Sequence, residues 1–284
     1  MVSFRNRSNC LDAVSDDFLK SLVALGGYCT ALQAQALFPG SQTQIRGRLR
    51  NLERLGFLRR ITKYPIVYQV TKSTTRLLGK DSSSRRRHEL ATIQARLLAV
   101  HFYLEARAWP AEFVLDHDQK VATFRDLAGC PLSVLPQRGG QPYLREHFLL
   151  WDRDWRLCLT MIDSPLPGAL SRLRRFIREF LPLLRHMGKE PDLLVVCADK
   201  GRSHAYERLL KRHRAIPKLG LGELSHRLKA YAVKPPVPYI TGLTWHGESK
   251  EESLVITQDS RDHRYGDSCH NRMDPTQTGE LISD

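Results

Sequence analysis

Residues 41–60 read SQTQIRGRLRNLERLGFLRR. Six arginines stand against one glutamate, yet aliphatic residues recur evenly through the same stretch. Ser41 has the side chain of a helix N-cap and Gly56 is the residue type that ends helices, so the pattern predicts a helix over 41–55. Ile45, Leu49, Leu52 and Leu55 follow one another at helical spacing and form one apolar stripe. At about 100° per residue, Thr43, Gly47, Arg50, Asn51 and Arg54 lie on the far side, with Gln44 and Arg46 on the flanks. Charge and packing therefore separate onto opposite faces of one helix.

The flanking sequence extends this into a unit over residues 12–71. A first helix is expected from Asp16 to Leu25, with Phe18, Leu19, Leu22, Val23 and Leu25 inward and Gly26-Gly27 as its stop. Thr30 can cap a second helix, ALQAQALF, which ends at Pro39-Gly40. After the arginine-rich helix come FLRRIT and IVYQVT, joined by Lys63-Tyr64-Pro65, which read as a hairpin with a basic tip. Three helices and a hairpin, in this order and with this placement of charge, resemble the winged helix-turn-helix family. The resemblance implies that the third helix enters the DNA major groove and that the wing follows the backbone.

The chemistry of the residue types agrees. Arginine can grip guanine through two parallel hydrogen bonds, and Asn or Gln can do the same for adenine. Phosphate neutralisation supplies most of the affinity of such contacts. The candidate DNA-binding residues are Ser41, Gln42, Thr43, Gln44, Arg46, Arg50, Asn51 and Arg54 on the helix, and Arg59, Arg60, Lys63 and Tyr64 on the hairpin. The plain alternative is a solvated basic face, which is what most charge runs are.

Bulk composition points to the same partner. The 284 residues carry a net charge of +14. Residues 1–88 hold 16 Lys and Arg against 5 Asp and Glu, and residues 170–214 hold 12 against 5. The tail, 247–284, is acidic, with 4 against 9. Such asymmetry concerns partners rather than fold, and a polyanion at the N-terminal end is the expected one. With 42% hydrophobic residues the chain has the composition of an ordinary globular protein. No apolar run reaches the roughly 18 residues of a membrane span, and MVSFRNRSNCLD lacks the apolar centre of a secretion signal, so a cytoplasmic protein without membrane contact is expected. The six cysteines include no C-x-x-C pair and read as free thiols filling the core.

Beyond the hairpin, KSTTRLLGK reads as a short closing helix and KDSSSRRRH as a polar joint. Leu90, Ile93, Leu97, Val100 and Leu104, with Leu98 and Phe102 beside them, predict a helix over 88–107 wide enough in its apolar surface to pack on a following domain or on a partner copy. EFVLDH, HFLLW, RLCLTMID and DLLVVCAD are strand candidates, and helices are expected over GALSRLRRFIREFLPLLRHMG and HAYERLLKRHRAI. This is a small α/β sheet flanked by helices. The overall expectation is an α+β chain in four parts: a winged helix domain over 1–80, a linker and connecting helix over 81–109, an α/β domain for dimerisation or for binding a partner or signal over 110–240, and a polar acidic tail over 241–284.

The wing running into VYQVTKSTTRLLG, the helix opening at His88, and RLCLTMID followed by an arginine-rich helix and EPDLLVVCAD resemble the replication-relaxation family of plasmids and integrated mobile elements. The resemblance covers most of residues 12–215 and implies a restriction-endonuclease-like sheet in the second half. Metal-dependent nucleases on that sheet need carboxylates and a lysine converging on Mg²⁺. Here RLCLTMID offers only Asp163 at its end, and no lysine occurs between Lys120 and Lys189. The one literal D-x-K, Asp118-Gln119-Lys120, lies in DHDQK, which has the composition of a loop. A sheet without catalytic function is therefore expected. No metal or cofactor is expected either: His263, Cys269 and His270 lack metal-site spacing, and GLGLGE with Gly220 and Gly222 lacks the third glycine of a nucleotide loop.

The expected function is sequence-specific binding of double-stranded DNA by a transcriptional regulator, repressor or activator, acting as a homodimer from a mobile element. The helix over 88–107 is the candidate for part of the dimer interface. The alternatives are a DNA-binding accessory factor for plasmid replication or mobilisation, and a nuclease that uses Asp118 and Lys120.

Overall fold

Asp12 fixes where the chain first turns helical. Its carboxylate accepts a 2.8 Å bond from the Ser15 N–H, so α1 (Ala13–Ala24) begins before the expected Asp16. Phe18, Leu19 and Leu22 are buried on it. The stop is at Gly26 and Gly27, whose φ angles are 102° and 82°, and a Cβ on Gly27 would stand 2.7 Å from Val70 Cγ2. Only glycine meets both conditions. In the computed structural model the described residues are 10–62, 65–79, 88–127, 129–144, 148–152, 157–164, 168–187, 192–214 and 228–234. All of them fall in one compact unit, Met1–His246. The expected joint over 80–87, Lys63, Tyr64, Gly220, Gly222 and the acidic tail lie outside them.

After the glycines, Tyr28–Thr30 forms a short strand, β1, and Thr30 caps α2 (Ala31–Leu37) through a reciprocal box with Gln33. α3 (Gln42–Arg54) is capped by Ser41 and Gln44 in the same way. Strands β2 (Leu58–Arg60) and β3 (Val67–Val70) complete a small antiparallel sheet of order β1-β3-β2. The buried Thr62 hydroxyl steadies the turn between them by accepting from the Val67 N–H at 2.9 Å. α4 (Lys72–Leu77) closes the segment.

The pleat of this sheet decides what each face touches. Cys29, Leu58, Tyr68 and Val70 share one core with Phe18, Leu22, Ile45, Leu49 and Leu52 of the helices. Tyr28, Ile61 and Val67 face the other way, onto Ile93 and Leu97 of α5 (Leu90–Ala106). Gln33 ties the two parts further, donating to the Leu97 carbonyl at 2.8 Å.

α5 buries residues around much of its circumference, including Ile93, Leu97, Leu98, Val100, Phe102 and Ala106. A helix apolar on so many sides is one enclosed between layers. Its second contact is a five-stranded sheet formed by β4 (Ala111–Val114), β7 (Phe148–Asp152), β8 (Leu157–Ile162), β9 (Asp192–Cys197) and β10 (Leu228–Ala232). The sheet is mixed, of order β10-β9-β8-β7-β4, with parallel pairing of β8, β9 and β10 and antiparallel pairing at β7 and β4. Phe148, Leu150 and Val196 on one face of it belong to the same core as Leu98, Val100 and Phe102. The helix proposed from sequence as a dimer surface thus spends its apolar face inside its own chain, because two sheets compete for it.

α7 (Ala169–His186) connects β8 to β9 and α8 (Lys200–Arg214) connects β9 to β10. The strands step in one direction both times, so crossovers of one hand bring both helices to one face. There Phe176 and Phe180 of α7 and Tyr206 and Leu210 of α8 share a core with Leu159, Val195 and Leu228. The layers run from the small sheet through α5 and the large sheet to α7 and α8.

Between β4 and β7 lie α6 (His117–Ala122) and a two-stranded ribbon of β5 (Gln137–Arg138) and β6 (Gln141–Pro142). The DHDQK segment is therefore helical rather than a loop. Asp116 accepts from the Asp118 and Gln119 N–H groups at 2.9 and 3.3 Å, and such a cap starts a helix from a polar composition. Cys29, Cys130 and Cys197 are buried free thiols. No helix among the described residues is long and apolar enough to cross a membrane.

Candidate nucleic-acid interface

α3 is clamped on one side and open on the other. Ile45, Leu49 and Leu52 are 2%, 1% and 1% exposed, and burying three such side chains is worth about 1.5–3 kcal/mol each. Gln42, Thr43, Arg46, Gly47, Arg50 and Arg54 are exposed. Among the described residues, Arg46 and Arg50 form no ion pair. Cations four residues apart along a helix repel by about 0.2–0.5 kcal/mol per pair. The row Arg46, Arg50, Arg54 is thus a small cost to the isolated fold, one that an anionic partner removes.

Gly47 sits within this row. Glycine inside a helix costs about 1 kcal/mol relative to alanine, and a Cβ placed there meets nothing within 4 Å. Packing inside the chain does not require the glycine. An open, Cβ-free patch of helix allows a close approach from outside.

Other polar side chains of the stretch, and Arg54 within the row, have partners inside the chain. Arg48 pairs with Asp12 across the start of α1. Arg54 donates to Asn51 Oδ1 at 3.0 Å, which holds the half-buried Asn51 against its own helix. Ser41 and Gln44 bond each other in the capping box, with Gln44 Oε1 accepting from the Ser41 N–H at 2.9 Å. Their side chains serve the helix start before any partner.

The hairpin divides its two arginines between faces. Arg60 stands in register with Tyr68, pairs with Glu53 of α3 at 3.2 Å and lies 5.9 Å from the centre of the Tyr68 ring. It is on the α3 side of the sheet. Arg59, expected on the same basic strip, is on the opposite side, because adjacent strand residues alternate. It pairs in register with Gln69 and donates to Gln69 Oε1 through Nε and Nη2 at 2.9 and 2.6 Å.

Arg59 belongs to a polar knot between the small sheet and α5. The Tyr28 hydroxyl and His88 Nδ1 are 2.7 Å apart, and Arg96 donates to the Gly26 carbonyl at 2.9 Å with its guanidinium 5.5 Å from the Tyr28 ring centre. Burial pushes the Tyr28 phenol up to about 12 against the pull of Arg96 and Arg59. Burial, and then the same two cations, hold the His88 imidazole below its usual range. A neutral imidazole here shares one hydrogen bond with the phenol and adds no third charge beside the two arginines.

The carboxylates of the nuclease alternative do not converge. Asp118 is exposed, whereas Lys120 on the other side of α6 is 2% exposed and donates to the Leu144 carbonyl at 3.2 Å. Asp163, at the end of β8, is enclosed by cations and a phenol: Arg172 Nη2 at 3.2 Å, Arg202 Nε, and the Tyr206 hydroxyl at 2.7 Å. Both of its oxygens are occupied. Among the described residues no group of three His, Cys, Asp or Glu side chains is placed to hold a metal ion. The sequence did not show Arg172, Arg202 and Tyr206 as partners of Asp163, since they come from two later helices that the crossovers bring to one strand end. No protein-family model, curated protein or solved structure matches the chain.

Proposed function

We propose that residues 13–77 form a winged helix-turn-helix that binds double-stranded DNA, with α3 in the major groove, and that the protein is a sequence-specific transcriptional regulator. The observation that carries this reading is the exposed strip of Gln42, Thr43, Arg46, Gly47 and Arg50 on a helix anchored by Ile45, Leu49 and Leu52. Anchoring fixes the direction of the reading side chains, which lowers the ordering cost of binding. Arg46 and Arg50 are free to take guanine edges or phosphates, and Gln42 and Thr43 at the start of the helix are the first to reach the groove floor. Arg60 lies toward the same side. Lys63 and Tyr64, which fall between β2 and β3 in the sequence and outside the described residues, are assigned to the DNA backbone on sequence alone.

One recognition helix reads only a few base pairs, so two copies on a palindromic site are part of the proposal. Their interface is a surface other than the buried side of α5. The same contacts serve an accessory factor at a replication or transfer origin, and the genomic position of the bound site separates the two roles.

Gly47 supplies a test in which two readouts move in opposite directions. Gly47→Ala is expected to raise the stability of the free protein by about 0.5–1 kcal/mol, since the φ is helical and the space is open. For a duplex captured from the host genome the same change is expected to weaken binding. Greater stability together with unchanged affinity would mean that DNA does not approach α3 at this point.

A further inference from the structure

The second basic region of the sequence is not used by α3. Residues 170–214 carry 12 Lys and Arg against 5 Asp and Glu, and the layers put the two helices of this span, α7 and α8, on the far face of the large sheet. Arg172 and Arg202 are consumed there by Asp163. Arg174, Arg178 and Arg185 of α7, with Arg208, Lys211 and Arg212 of α8, are exposed. Arg174 and Arg178, and likewise Arg208 and Arg212, are four residues apart, about 6 Å along the axis, and Arg185 continues the first row two turns further on. The two helices lie side by side over one sheet, so the rows form one surface. Among the described residues none of these six forms an ion pair, and Glu207 is the one exposed acid of the two helices.

The chemistry of this surface narrows its partner. A protein interface is anchored by aromatic or aliphatic side chains entering pockets, and single-stranded nucleic acid is held by aromatic stacking platforms. Among the described residues the exposed large apolar side chains are Leu32, Leu90 and Leu132, none of them on α7 or α8. Cations without apolar anchors or stacking rings fit a regular array of phosphates, which needs no base contact.

We propose that the exposed face of α7 and α8 is a second, sequence-independent site for the backbone of duplex DNA, so that one chain joins two duplex segments. α3 lies beyond α5 and the large sheet from this face, and a straight duplex seated on one surface leaves the other open for a second. The contact at α7 and α8 stands without the reading of α3, whereas the joining of two duplexes rests on it.

The test uses the full chain, an immobilised mixed-sequence duplex and a labelled free duplex of the same kind. Wild-type protein retains the labelled duplex on the immobilised one. A variant carrying Arg174→Gln, Arg178→Gln, Arg208→Gln and Arg212→Gln, all at exposed positions, is expected to bind one duplex still and to retain at least tenfold less of the second. For a duplex carrying the genomic site that α3 reads, its affinity should match that of wild type. A dimer joining duplexes through two copies of α3 would be indifferent to these changes, so full retention by the four-glutamine variant overturns the proposal. Arg46→Gln with Arg50→Gln is the control on the other surface. If that pair binds and joins duplexes as wild type does, the bridge is overturned and α3 is not a DNA surface. Direct measurement on the α7–α8 face comes from the pair variant in titrations with salt, where adding the four glutamines should flatten the log–log slope by about 0.9 for each phosphate left without its cation. Displacement of duplex from this face by polyglutamate at concentrations where duplex itself binds no more tightly would assign it to an acidic protein segment and overturn the proposal.

Discussion

Asp163→Ala is expected to destabilise the protein by about 3 kcal/mol, the lower part of the range for breaking a buried charge cluster. The carboxylate side chain is 1% exposed, while Arg172 and Arg202 are 23% and 30% exposed. Water can therefore reach the arginines once the carboxylate is gone, and this keeps the effect at the lower end. The Tyr206 hydroxyl is buried with Asp163 and has no such recourse. Both arginines also donate to the Ser164 carbonyl, at 3.0 and 2.7 Å, so they lock the end of β8 to the starts of α7 and α8. Asp163→Asn keeps an acceptor for Tyr206 but gives up the charge, and an intermediate loss is expected. Urea titration checks both. An Asp163→Ala loss below about 1 kcal/mol, the size of a surface pair, would mean that the cluster does not hold this edge together.

Phe102→Ala is expected to cost about 3–5 kcal/mol and to leave a single unfolding transition. Phe102 is fully buried and meets the edges of Trp109, Phe113 and Tyr231 at centroid distances of 5.5, 5.7 and 6.1 Å. Its helix is the layer shared by the small sheet and the large one, and its core includes Leu22, Ile45 and Leu49 as well as Phe148 and Val196. A cavity there weakens both halves at once. Tryptophan fluorescence and far-ultraviolet circular dichroism should report one midpoint, shifted equally. Two separated transitions, with one unaffected by the substitution, would show that α1–α4 is held independently of α5.

The features legible in the sequence were those with local causes. Ser41 and Thr30 announce their helices because a cap needs only residues three apart, and the glycines at 26, 27 and 56 announce stops because positive φ excludes most side chains. The stripe of Ile45, Leu49 and Leu52 follows from helical period alone. What was not legible depended on distant partners. Tyr28–Thr30 is too short to show a strand pattern and exists because β3 pairs with it. Arg59 and Arg60 part to opposite faces by strand alternation, which a predicted strand already implies, but that Arg60 meets Glu53 of α3 and Arg59 meets Gln69 depends on how the sheet packs. The fate of α5 is the same kind of case: its wide apolar surface was visible, but not that two sheets of the same chain would cover it. β10, in LKAYA, has little strand character of its own and is set by parallel pairing with β9.

Reading of DNA by α3, through Arg50 and its neighbours, stands or falls on one binding measurement. Duplex is captured from the host genome by the full chain, the captured site is footprinted, and it is then titrated with wild type and Arg50→Ala. The expected result is a protected site with two related halves and a loss of about 1–3 kcal/mol in affinity for Arg50→Ala, as for removal of a base-edge hydrogen-bond pair. A captured site bound equally well by Arg50→Ala would contradict a reading role for α3.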